Sequence, residues 1–139
     1  MLFRSHTVAA AIALEKHDAS AAEMHLAEAV RLEPDDKRHR LLLTAVRLES
    51  KSPAKRDAAI ADLEAMRGNP ATSTDALRQL LDDAIRRGEA ADVRKFGEAL
   101  IAEKTCNFHD KLAWLGTMRR FGSPRSSQYL LEQIGRAHV

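Results

Sequence analysis

Cysteine occurs once in the 139 residues, as Cys106, which excludes an internal disulfide framework and leaves the compartment undetermined. Aromatic residues make up only 4%, so neither strand-rich packing nor an aromatic-lined binding surface is favoured. Charge of one sign is missing as well. The 22 Lys and Arg nearly balance the 20 Asp and Glu, and a net charge of +2 gives no strong field to draw nucleic acid or an anionic membrane onto the surface. The longest apolar run, Val8 to Leu14, is far too short to cross a bilayer. The chain has no glycine-rich phosphate loop, no G-x-S-x-G and no H-E-x-x-H.

Ala, Leu, Glu and Arg dominate, a composition that favours helix, and the chain is long enough to bury a core without metals or cross-links. Apolar residues recur at i, i+3, i+4 and i+7, the period of a helix with one buried stripe. Eight helical segments are expected, at about 6–16, 20–32, 37–50, 54–67, 74–87, 90–103, 108–120 and 124–134. Their punctuation is chemical. Asp18 or Ser20 can cap the second segment, Pro34 stops it, Thr74 or Ser73 can cap the fifth, and Pro124 suits a first helical turn. Gly68 is expected to supply a left-handed residue before Pro70, and Gly88 breaks the third pair of helices.

Spacing organises these segments. His6, Leu41, Leu77 and Leu112 begin the same register in successive first helices, followed four residues later by Ala10, Ala45, Leu81 and Gly116, and both series step by 35, 36 and 35. Helices joined by short turns form hairpins, and a hairpin cannot bury both apolar faces alone, so each unit needs a neighbour. Ala10, Ala22, Ala29, Ala45 and Gly116 are expected where backbones approach closely, and Leu26, Leu63, Leu80 and Phe96 where space between hairpins is filled.

Two stretches, Ala22-x3-Leu26-x2-Ala29-x4-Pro34 and Leu112-x2-Leu115-Gly116, resemble the tetratricopeptide repeat, a helix-turn-helix unit of roughly 34 residues. Leu112 stands where that family often has Trp, Leu81 replaces a small residue, the usual Tyr is absent, and an insertion falls near Ser52-Pro53. The resemblance implies an all-α fold, a right-handed α-solenoid forming a single repeat domain over 1–139, with units at about 3–36, 37–71, 72–106 and 107–135. It also implies a non-catalytic protein-interaction scaffold within a larger bacterial protein, binding a protein or peptide in a groove lined by exposed positions of the first helices. In this register those are His39, Arg78, Asp82, Arg86, Asp110 and Arg120. The alternative is an accessory arm of an enzyme whose catalytic domain lies elsewhere. Self-association through open solenoid ends is a further expectation.

Catalytic, metal and cofactor sites are not expected. Cys106 and His109 lie three apart in a turn without a second ligand pair, His17 and His25 straddle a turn, and the adjacent Asp82 and Asp83 point in different directions on a helix. The basic clusters "DDKRHR" (35–40) and "MRRFGSPR" (118–125) are read as helix-end charges, not as a nucleic-acid surface. Both extremities have a separate reading. "MLFRS" corresponds to the translation of a sequencing adapter and "IGRAHV" to its reverse complement, so natural sequence is expected from about His6 to about Gln133, with 1–5 and 134–139 artefactual. Sequencing the genomic locus checks this: the natural gene should diverge from these codons at both ends, and finding them there between a true start and stop would dismiss it.

Overall fold

The computed structural model describes residues 2–122 and the isolated positions 128, 131, 132, 135 and 136, with side chains from Ser5 onward. Within them the chain is all-α, with no strand. The helices are α1 (Leu2–Glu15), α2 (Ala19–Leu32), α3 (Lys37–Leu48), α4 (Pro53–Arg67), α5 (Ser73–Arg87), α6 (Ala90–Ala102) and α7 (Phe108–Phe121). Seven of the eight expected segments are thus present within a few residues of their expected bounds. The eighth, 124–134 with Pro124, falls largely outside the described residues. No described helix is long and apolar enough to cross a membrane.

The chain divides into two compact units, Met1–Gly68 and Asn69–Val139. In the first, each helix packs on the next in order, α1 on α2, α2 on α3 and α3 on α4. The buried stripe of α2 is Ala22, Leu26 and Ala29. Leu26 forms a core cluster with Ala10 of α1 and Leu43 of α3, with Ala27, Val30 and Val46 packed around it. The small residues set the spacing and Leu26 fills it. Glu23 of α2 adds a polar tie, accepting from Arg47 Nε of α3 at 3.1 Å and from Lys55 of α4.

The second unit packs α5 on α6 and α6 on α7. Its burial repeats that of the first at a distance of 71 residues, the 35- and 36-residue steps taken together. Ala22, Leu26 and Ala29 correspond to the buried Val93, Gly97 and Leu100, and His39, Leu43 and Thr44 to Asp110, Trp114 and Leu115. The exchange at one pair of positions is complementary. Where the first unit sets Leu26 beside Leu43, the second sets Gly97 beside Trp114, and a Cβ built on Gly97 would lie 2.0 Å from the indole ring. A large side chain on α7 is matched by the absence of one on α6.

Local chemistry fixes the helix ends. Asp18 accepts from the Ala21 N–H at 3.0 Å and is the α2 cap, while Glu33 closes that helix ahead of Pro34. Asp36 caps α3 and Pro53 opens α4 at its first turn. Two expected caps are corrected. Neither Ser73 nor Thr74 caps α5; Asn69 forms the turn before it, accepting from Ala71, Thr72 and Ser73 N–H groups, which frees Ser73 to donate to Glu103 and the Thr74 hydroxyl to meet that of Thr105. Gly68 is right-handed at φ −72°, so its role as a left-handed terminator is also corrected. Left-handed backbone occurs instead at Gly88, φ 72°, and at His17, φ 58°.

The expected close approach at Gly116 is corrected as well, for nothing lies within 4 Å of a Cβ placed there, and Leu112 one turn earlier is 46% exposed. The helix presents Trp114, Leu115 and Met118 inward instead. Ala45 is half-buried, whereas Leu26, Leu63, Leu80 and Phe96 are buried as expected. The two glycines therefore give opposite predictions. Gly116→Ala should stabilise by about 0.5–1 kcal/mol through lower backbone entropy in the unfolded chain. Gly97→Ala should destabilise by about 1–3 kcal/mol because the buried indole cannot yield. Urea unfolding followed by circular dichroism measures both.

Candidate functional site

The expected groove residues separate into different environments. Arg78, Asp82 and Asp110 come together in a cleft of about 180 Å³ in the second unit, lined also by Leu81, Leu100, His109 and Ala113. Arg86 lies two turns beyond Arg78 on α5, exposed, with Nη2 3.9 Å from Asp83. Arg120 is exposed near the end of α7, its guanidinium 4.9 Å from the Phe121 ring centroid. His39 belongs to the first unit and is buried, 5% exposed.

Two of the six are therefore not on an exposed face, and the reason is positional. His39 and Asp110 both occupy the third residue of their helices, where a side chain turns back toward the capping residue and the preceding first helix. Asp110 accepts the Asn107 N–H at 3.0 Å while Asn107 Oδ1 accepts the Asp110 N–H at 2.9 Å, a closed capping box. Its carboxylate also takes a two-pronged grip from Arg78 of α5, Nε to Oδ1 at 2.8 Å and Nη2 to Oδ2 at 2.7 Å. Arg78 Nη1 donates to Asp75 at 3.0 Å. The guanidinium is thereby committed to struts inside the unit, and Arg78 with Asp110 reads as a brace from α5 to α7.

The cleft keeps two carboxylates in opposite condition. Arg78 holds the Asp110 carboxyl below the usual range, with help from the Asn107 N–H, against the cost of burial. Asp82 has no such clamp. Partial burial in the cleft raises its pKa, opposed by Arg86. Asp82 and Arg86 are both exposed on α5. Cys106 is not an activated nucleophile: burial and the nearby Asp110 push its pKa up, and its thiol donates to the Asn107 carbonyl at 3.7 Å. His25 faces His6 instead of His17, with Nδ1 atoms 3.1 Å apart and ring centroids at 5.4 Å.

A group of three side chains in the first unit was not anticipated. Glu33, Asp36 and His39 bring one potential ligand atom each within 4.8 Å of one another. Their spacing, Glu33-x2-Asp36-x2-His39, is visible in the sequence but crosses a helix end, a turn and a helix start, so helical periodicity does not gather them.

Comparison with protein-family profiles, with curated proteins and with solved structures returns no match.

The Asp110 brace has a defined pH signature. Because its folded pKa lies below the ordinary value of 3.8, the ionised carboxylate stabilises the fold fully above that value, and the contribution is lost as pH falls through the lower folded pKa. Asp110→Asn should cost about 1–2 kcal/mol at pH 7, less than a fully buried pair because Arg78 is partly in water. The gap between the two proteins should narrow below about pH 4, which denaturant titrations at stepped pH will show.

Proposed function

We propose that this chain is a tetratricopeptide-like right-handed α-solenoid that serves as a non-catalytic scaffold, binding a protein or peptide partner through the first helices of its hairpins. What carries the reading is the return of the same buried positions after 71 residues, Ala22, Leu26 and Ala29 at Val93, Gly97 and Leu100, with different side chains of compensating size. A sequence under pressure to keep an outline while changing its contents is a repeat, and helical repeats of this length present a continuous surface to partners. On that surface the exposed charged groups of the set are Asp82, Arg86 and Arg120, whereas Arg78 and Asp110 brace each other and His39 is turned inward.

Exposed apolar side chains support stacking of further repeats or of a second copy. Val8 and Ile12 share a face of α1 at 58% and 46% exposure, and Phe108 and Leu112 share one of α7 at 45% and 46%. Single exposed hydrophobes are ordinary, and pairs four apart on one helix put apolar surface on a single face.

Two measurements test the reading. Small-angle X-ray scattering should give a radius of gyration clearly above the roughly 14 Å of a compact chain of this length, and a compact value would remove the solenoid. A peptide selected from a random library for binding the chain should lose roughly tenfold affinity when Arg86 and Arg120 are both replaced by Ala, at unchanged helicity. Failure to select any binder, or binding untouched by the double replacement, would remove the groove.

A further inference from the structure

We infer that Glu33, Asp36 and His39 form a binding site for a divalent transition-metal cation, with zinc the best match. Among the described residues, His39 Nδ1 is the only buried side-chain nitrogen or oxygen without a hydrogen-bond partner. Leaving such an atom unsatisfied costs about 1–3 kcal/mol, so it calls for a physical reason. The residue around it is 95% buried, and Nδ1 faces Asp36 Oδ2 at 3.8 Å, beyond a hydrogen bond. That is the separation of two groups with room for something between them.

The other ring nitrogen is engaged. His39 Nε2 lies 3.1 Å from Thr7 Oγ1 of α1. With the Nε2 proton donated to that hydroxyl, the Nδ1 lone pair points into the carboxylates, the arrangement by which metal-binding imidazoles are commonly oriented. The turn between α2 and α3 supplies the acids. Glu33 closes α2, and its carbonyl accepts the Asp36 N–H at 3.2 Å, which folds the two acidic residues onto one side of the turn. Asp36 divides its work between two oxygens: Oδ1 caps α3 by accepting the Arg38 N–H at 2.9 Å, and Oδ2 faces the imidazole.

The ligand set selects the ion. One imidazole and two carboxylates suit zinc or a neighbouring first-row cation with water completing the shell, whereas calcium and magnesium prefer oxygen alone. Tetrahedral zinc places its ligand atoms about 3.4 Å apart, so a pair at the 4.8 Å limit must close by about 1.4 Å. The Arg38 guanidinium donates to Oδ2 at 2.9 Å and must withdraw, but its side chain is 80% exposed and such a pair contributes little.

The second unit provides an internal control. At the corresponding positions 71 residues on it carries Lys104, Asn107 and Asp110, with Arg78 in place of Thr7. There the Asn107 and Asp110 side chains are matched within the protein, by the capping box and the Arg78 grip. The first unit keeps the same layer but leaves one nitrogen for a ligand. A bound cation would tie the end of α2, the start of α3 and, through Thr7, α1 into one unit.

Calorimetric titration of the 139-residue chain with zinc chloride at pH 7 tests this. One ion per chain should bind with Kd of about 10 μM or tighter, unaffected by about 5 mM magnesium. Asp36→Asn retains a competent cap and Glu33→Gln retains size, and each should weaken binding by at least about tenfold while the apo proteins keep wild-type helicity. Arg38→Gln should tighten it. Zinc should also shift the His39 Nδ1 resonance in ring 15N spectra and raise Tm until chelator is added. No zinc binding up to about 1 mM, or equal binding by wild type and both acidic-residue variants, would overturn the site and assign any bound ion to other histidines. The solenoid reading stands or falls separately, by scattering.

Discussion

The contact on which the first unit depends is the seating of the α2 stripe between its neighbours. Ala22 and Ala29 are wholly buried, and Leu26 reaches both Ala10 of α1 and Leu43 of α3. A helix of this length has little stability alone in water, so its persistence rests on removing that stripe from solvent on two sides. Alanine at 22 and 29 brings the backbones close enough for one leucine to fill the gap. The same constraint acts 71 residues later with different volumes, where Gly97 leaves space and Trp114 takes it. Close packing admits either solution because what must be conserved is the filled space between the helices.

The polar layer beneath each third residue obeys a parallel constraint with two outcomes. His39 and Asp110 are buried by backbone geometry at the start of α3 and α7, and a buried polar group must find a partner. Asp110 finds three, the Asn107 N–H and both prongs of Arg78. His39 finds Thr7 on one nitrogen and faces Glu33 and Asp36 with the other. The brace in the second unit makes the layer self-sufficient and rigid. The first unit's version leaves His39 Nδ1 facing carboxylates without a hydrogen bond.

Helix positions were legible in the sequence because they depend on local signals: apolar period, Asp18 as a cap and Pro34 as a boundary. The step of 35 and 36 residues was read from His6, Leu41, Leu77 and Leu112, and the buried positions of α2 and α3 return after the two steps together in α6 and α7. The orientation of individual side chains was not. A helical-wheel reading assigns polar residues outward, which suits Arg86 and Arg120, but at the third position of a helix a side chain leans back over the cap, and His39 and Asp110 go inward. Gly116 and Gly97 look alike in a sequence, and only the tertiary neighbour, open space or an indole ring, separates them. Gly68 and Gly88 likewise differ in handedness through the chain that follows: Glu89 N–H returns to the Ala84 carbonyl at 3.1 Å, a bond that requires the left-handed turn.

These particulars decide which side chains stay at the surface. Each residue committed to holding hairpins together is withdrawn from the surface, and the commitments fall at predictable positions of the helix. Arg78 illustrates the withdrawal, for a cation on the expected groove face spends its donors on Asp110 and Asp75. Further along α5 and α7, past the first turn, no cap competes for the side chains. Asp82 and Arg86 sit in that stretch, and the partial burial that raises the Asp82 pKa marks it as a carboxylate whose solvation is already reduced before any ligand arrives. A cationic group entering the cleft would gain more from a carboxylate of reduced solvation than from a fully hydrated acid.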